Sequence, residues 1–340
     1  MFVFLVTQAI KGKNATFISD VILLGFQNFQ KFQPLSFTII LVIYLATVIG
    51  NFLIIVLVSS SKNLHSPMYF FLIHLSLSDL LLSTDITPQT LSIVLNGTST
   101  ISLTSCLSQF YFFSVSECSE CLLLAVMSYD RFLAICNPLR YHSVMNSTLC
   151  ITLVIISWLV SFLIILSYTV TISFLHFCGP NVIDHFFCDF TPILKLSCSD
   201  ISVVELEVMF LSFPLLVLPF GIILATYVFI LRVILNISST TGRHKAFSTC
   251  SSHLTTVSLF YTTLFCIYIL PTGRSLSTSK IVSLFYTMGT PLINPIIYSL
   301  RNKEIKEAFK KVFELAWSGH YKSRFEGRRG LQLIVPENTT

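Results

Sequence analysis

Unbroken apolar runs set the rhythm of this chain. Ser36 to Val58 and Leu149 to Leu166 carry no charged residue and do not alternate apolar with polar positions. A membrane strand would alternate, so runs of this length select helices, which satisfy their own backbone hydrogen bonds in hydrocarbon. An apolar core of about 30 Å takes roughly 20 helical residues. The pattern predicts seven spans, at about Pro34 to Ser60, Pro67 to Leu91, Cys106 to Cys136, Leu149 to Ile172, Val203 to Leu235, Lys245 to Leu270 and Lys280 to Leu300.

Composition agrees with the pattern. Of 340 residues, 54% are hydrophobic and 11% charged, with mean hydropathy +0.80, where a soluble domain is about a quarter charged. The chain is expected to be an all-α membrane protein. An odd number of spans places its ends on opposite sides. With the N-terminus outside, the inner loops hold Lys62, Arg131, Arg140, Arg232, Arg243 and Lys245 against Lys195, Arg274 and Lys280 outside. The cluster Arg301, Lys303, Lys306, Lys310 and Lys311 abuts the last span. Basic residues favour the inner side, so this orientation is expected, and the net charge of +5 points to an anionic inner leaflet and not to nucleic acid. Met1 to Val6 is too short for a signal-peptide core and lacks a preceding basic residue, so no cleaved signal is expected. Residues 1–33 are then an outer segment, 34–300 the membrane domain, 301–315 a cytoplasmic amphipathic helix and 316–340 a disordered tail.

Against this apolar background the ionisable groups stand out. Asp130 and Arg131 end the third run, inside Met127 to Cys136. Asn51, Asp79, Glu117 and Glu120 lie at membrane depth, where a carboxylate is costly and must find partners or a proton. For Asp130 and Arg131 the plainer reading is a span boundary; for Asn51 it is interhelical glue. Phe110, Phe113, Ser114, Glu117, Glu120, Cys121 and Leu124 follow spacings of three and four, share one helix face, and lead to Arg131. Ordinary bundle core is the competing account of that face. Glu117 and Arg131 are about 21 Å apart along it. In the sixth run, His253, Val257, Tyr261, Leu264, Phe265 and Tyr268 share a face. Pro295 bends the seventh, and Asn294 can bridge the carbonyls it frees.

Cysteines divide by compartment. Cys106, Cys178, Cys188 and Cys198 fall outside, enough for two bridges in any of three pairings; zinc held by these and His185 is the less economical reading. Asn14 heads a glycan acceptor triplet on the outer side, whereas the triplets at Asn146, Asn236 and Asn338 face inward. After Arg301, the stripe Ile305, Ala308, Phe309, Val312 and Phe313 is flanked by lysines and suits a leaflet surface.

Four segments carry a resemblance: Leu64 to Leu72 (Leu-His-Ser-Pro-Met-Tyr-Phe-Phe-Leu), Met127 to Cys136 (Met-Ser-Tyr-Asp-Arg-Phe-Leu-Ala-Ile-Cys), Lys245 to Leu254 and Pro291 to Asn302. Together they resemble the olfactory receptors among rhodopsin-like G-protein-coupled receptors, over about Asn14 to Leu315. Tyr261 and Thr263 stand where many rhodopsin-like receptors have Trp and Pro, which fits the olfactory branch. Ser128, Phe132 and Thr226 are small departures. The resemblance implies Cys106–Cys188 and Cys178–Cys198 bridges. It also implies a volatile small-molecule ligand between the third, fifth, sixth and seventh helices, near Phe110, Phe113, Ser114, Glu117, Phe213, Tyr261, Phe265, Tyr268 and Thr287. Asp130 would restrain Arg131, with Tyr227, Asn294, Pro295 and Tyr298 completing the switch toward a stimulatory olfactory-type G protein and cAMP. Asn51, Asp79 and Glu120 would form a polar cluster able to enclose a monovalent cation. Membrane lipid, a trafficking chaperone and the cilia of olfactory neurons complete the implied setting. The rival class is a seven-helix transporter using Asp79, Glu117 and Glu120 as a relay, but paired internal repeats are missing. His-Glu-x-x-His, Gly-x-Ser-x-Gly and phosphate-loop patterns are absent too, so an enzyme is not expected.

Overall fold

The computed structural model describes residues 18–26, 32–61, 64–178, 180–268, 276–301 and 304–311; side chains of 245, 246, 248, 249, 268, 276–279, 300 and 301 are outside that description. Long helices make the body. They are α1 (Gln33–Ser60), α2 (Pro67–Asn96), α3 (Leu103–Cys136), α5 (Ser147–Ser173), α7 (Ser202–Asn236) and α8 (Thr240–Tyr268). The last, α9, joins Leu276–Leu284, a π turn Phe285–Gly289 and Thr290–Arg301. Short helices α4 (Pro138–Val144) and α6 (Phe190–Leu194) lie in connections, and residues 304–311 are helical after α9.

Six of these helices are long and apolar enough to cross a membrane: α1, α2, α3, α5, α7 and Lys280–Ser299 of α9. The expectation of seven apolar runs needs one adjustment, because α8 is long enough at 29 residues but too polar. Several of its polar groups turn inward: Ser252, His253, Thr256 and Thr263 are buried. Polarity hidden in a bundle does not oppose a span as polarity facing lipid does.

Local sequence explains the boundaries. Pro67 and Pro138 sit in the first turns of α2 and α4, where a missing N–H costs nothing. Asn146 caps α5 by accepting from Leu149 N at 2.8 Å, and Ser102 caps α3 by accepting from Ser105 N at 3.1 Å. α2 stops at Gly97, whose φ of 80° suits a residue without Cβ. Pro214 opens a π turn, Phe213–Val217, within α7.

The pattern did not foretell a sheet. Strands β1 (Asp20–Leu24), β2 (Thr98–Ser102) and β3 (Val182–Ile183) pair in the order β2-β1-β3, antiparallel between β1 and β2 and parallel between β1 and β3. β3 is only two residues long, and β1 (Asp-Val-Ile-Leu-Leu) and β2 (Thr-Ser-Thr-Ile-Ser) do not alternate apolar with polar positions, so neither carries a strand signal. They close the end of the bundle where Cys106 and Cys188 are joined, hereafter the disulfide end; Arg131 marks the opposite, arginine end.

Candidate functional site

Helix α3 connects both ends, and its inward face is the stripe expected from spacing: Phe110, Phe113, Glu117, Glu120, Cys121, Leu124 and Arg131 are all buried, with Ser114 half-buried. At the disulfide end, Phe113 meets Phe187 edge-on at 5.0 Å and Tyr286 at 6.3 Å, and Phe110 lies 6.2 Å from Phe190. Phe187 and Phe190 belong to the connection after α5, so the lid packs directly on α3. The Glu117 carboxylate below them makes no hydrogen bond among the described residues. Thr287 is buried on the π turn, donating to Ser283 O at 2.9 Å, and Tyr261 lies tilted against Phe220 with ring centroids 4.6 Å apart.

Phe213 and Phe265 depart from the expected lining. They are 56% and 48% exposed, whereas Phe110 and Phe113 are 3% and 2% exposed. Phe213 begins the π turn of α7, and in α8 the inward place is taken by Leu264. The Tyr268 side chain and Asn14 lie outside the described residues.

Two disulfides brace the lid, Cys106–Cys188 and Cys178–Cys198, with Cα separations of 5.4 and 5.8 Å. Lys280 of α9 adds a knot. Its ammonium donates to Leu24 O at 3.2 Å and Gly25 O at 3.0 Å, and pairs with the Asp184 carboxylate. Gly25 permits the close approach of α2 to this segment, because a Cβ there would meet Ile93 Cγ2 at 2.2 Å. Beside it His185 is 6% exposed, stacked on Phe186 and meeting Phe187 edge-on. Burial, and then the Lys280 charge, lower its pKa to about 3, with Asp184 opposing, so this imidazole is neutral.

Midway down, Asn294 turns its amide to two carboxylates, donating to both Asp79 oxygens at 3.2 Å and to Glu120 Oε1 at 3.1 Å. It does not bridge the carbonyl that Pro295 frees, as expected from sequence. Asn51 does so from α1, donating to Pro291 O at 3.0 Å and to Thr47 O at 3.1 Å. The freed acceptor lies one turn before the proline, and a neighbouring helix can reach it more directly than residue 294, whose side chain points to α2 and α3. One amide between two carboxylates leaves charge to balance, and Asn294 Oδ1 is buried without a partner. This donor set fits a monovalent cation.

At the arginine end, Asp130 and Arg131 form an ion pair, with Arg131 Nε donating to Asp130 Oδ2 at 2.9 Å. Tyr141 of α4 donates to the other carboxylate oxygen at 2.8 Å. His253 Nε2 faces Leu124 O at 3.1 Å and Nδ1 faces the Tyr227 hydroxyl at 2.7 Å. A carbonyl can only accept, so Nε2 carries the proton and Tyr227 donates to Nδ1. α7 and α8 are thereby fastened to α3 next to Arg131. Tyr298 is buried on α9 at the same level. Sequence reasoning missed Tyr141, Lys280 and the part played by His253; an imidazole within an apolar helix face was the one available signal.

A restrained guanidinium at one rim, joined by a single helix to aromatic rings under a cystine-braced lid, defines a seven-transmembrane receptor of the G-protein-coupled class. Residues 40–315 match the olfactory receptor family. Human olfactory receptor 11L1 is 46% identical over 311 residues, 90% of this chain and 97% of that protein. Mouse olfactory receptor 5P60 is 48% identical over 299 residues, covering 88% and 93%, and human olfactory receptor 6B2 is 45% identical over 310, covering 91% and 99%. The chain belongs to the olfactory receptor family; it is a multi-pass membrane protein and not an enzyme.

Proposed function

We propose that the protein binds a small, mostly apolar odorant at the disulfide end and activates a stimulatory olfactory-type G protein, raising cAMP. The observation that carries this reading is the continuous α3 face from Phe110 and Glu117 to Arg131. Phe110, Phe113, Ser114, Glu117, Tyr261 and Thr287 would supply apolar walls and a few orienting polar groups, with Phe213 and Phe265 at the periphery. An ionised Glu117 selects an amine, and its acid form donates to a carbonyl or alcohol.

Ligand shifts the receptor only through differential affinity for two states. In the resting state Asp130 and Tyr141 hold Arg131, and His253 holds Tyr227. In the active state, movement of α8 opens a cleft lined by Arg131, Tyr227 and Tyr298 for the G protein, with Asn294 and Pro295 as the yielding part of α9. Asp79 and Glu120 would hold a monovalent cation that steadies the resting form. The disulfide end faces outward with a glycan on Asn14, and the helical residues 304–311 lie on the inner leaflet; residues 312–340 are outside the described residues. A trafficking chaperone serves delivery to the cilia of olfactory neurons.

The test is an odorant panel read by cAMP in cells carrying the stimulatory olfactory G protein. A responsive ligand should lose its signal in Arg131→Ala at equal surface expression, and an undiminished signal would overturn the switch. A response to every active odorant left unchanged by Glu117→Gln would remove Glu117 from the ligand site.

A further inference from the structure

A second polar site opens away from the α3 stripe. At the disulfide end, a cleft of about 360 Å³ runs between α2 and α3, with Asp85, Gln89 and Pro88 on one wall and Thr104, Ser108 and Phe112 on the other. The Asp85 carboxylate makes no hydrogen bond or ion pair among the described residues, and its Oδ2 is completely shielded. Among the described residues, no Lys, Arg or His lines the cleft. A carboxylate at membrane depth without a partner is a functional site by default.

None of the neighbouring groups adds a charge. Gln109 donates one N–H to Asp85 O at 3.0 Å and accepts from Cys188 N at 3.0 Å, keeping a second N–H. Gln89 donates to Ser99 Oγ at 2.6 Å, leaving its carbonyl oxygen; Ser108 donates to Thr104 O at 2.9 Å, leaving its lone pairs. The cleft therefore offers one negative charge and several acceptors. Its complement carries positive charge and several N–H donors. A primary ammonium has three. Pro88, Ile101 and Phe112 give an apolar border for a short alkyl chain, which a bare metal ion would not use.

We propose that this cleft binds a primary ammonium group on a small aliphatic molecule, with Asp85 as counter-ion and Ser108 and Gln89 as acceptors. The site is separate from Glu117, about 12 Å farther along α3 from Gln109. Gln109 joins it to the lid, because the same side chain holds the backbone of Asp85 and the amide of Cys188. Occupancy thus bears on the lid's attachment to α3.

The experiment uses full-length receptor in phosphatidylcholine nanodiscs, whose headgroups carry no N–H donor, with n-butylamine as the probe. Binding should raise the apparent melting temperature by about 3 °C at saturation. The rise should vanish in Asp85→Asn and be absent with 1-butanol or sodium chloride. Ser108→Ala, which keeps the carboxylate, should weaken apparent affinity about tenfold and serves if Asp85→Asn fails to fold. Adding phosphatidylethanolamine distinguishes the source: a rise with the same Asp85 dependence assigns the ammonium to a lipid headgroup. No rise with either amine, a rise that survives Asp85→Asn, or one matched by butanol or sodium overturns the site. So does a rise lost only in Glu117→Gln, which would move the amine to the principal pocket.

Discussion

Two buried cations hold opposite ends of this receptor, and they are tied differently. Lys280 gathers segments remote in sequence: carbonyls of Leu24 and Gly25, more than 250 residues away, and Asp184, 96 residues away. Arg131 is paired with its immediate neighbour Asp130, and Tyr141, eleven residues from Asp130, is the next link. A cation whose partners are distant holds tertiary structure together; a cation whose partner is adjacent can let go while the fold stays intact. The first arrangement suits a lid, the second a switch.

Predictions that probe this contrast run from large to small. Cys106→Ser should do the most damage, since a native disulfide typically contributes about 2–5 kcal/mol; surface labelling should fall to background, and near-normal display would mean the lid does not need its bridge. Lys280→Met leaves Asp184 and two carbonyls without their shared donor. A loss of about 2 kcal/mol should appear with faster amide exchange in residues 18–26, while Arg131→Ala should leave that exchange unchanged. Equal effects of the two substitutions would erase the distinction drawn above. Tyr141→Phe removes one hydrogen bond from Asp130 and should raise basal cAMP about twofold to fivefold at unchanged melting temperature; lowered basal signalling would contradict the restraint.

The smallest effect concerns pH. His185 falls from its ordinary 6.5 to about 3 in the folded lid, so between those values the unfolded chain binds more protons than the folded one. Stability from the neutral imidazole is complete above 6.5 and declines as pH drops through that window. Melting between pH 7.5 and 5 should therefore show a fall that shrinks in His185→Asn, and equal falls in both proteins would remove His185 as its cause.

How much was readable beforehand follows from the length scale of each signal. Helix existence and the α3 stripe were legible, because apolar spacing over twenty residues averages out single exceptions; Phe110 through Arg131 fell as counted. α8 was visible as a helix yet misjudged in apolarity, since residue counting cannot tell inward hydroxyls from outward ones. The sheet went unseen because strands this short gain meaning only from their partners. Phe213 was named by the resemblance alone, and on its π turn it is 56% exposed. Asn294 was assigned to the proline's carbonyl because it sits next door, whereas in three dimensions Asn51 is nearer.

That contact between Asn51 and Pro291 O carries an implication for how the chain is made. α1, made early, supplies the donor that α9, some 240 residues later, lacks at its bend. The bent helix is thus finished by an amide that keeps one N–H on Thr47 O and holds the other in waiting until α9 arrives. Quality control at the membrane could read this closing step, and an Asn51 replacement unable to donate should be recognised there as an unfinished chain before any odorant is met.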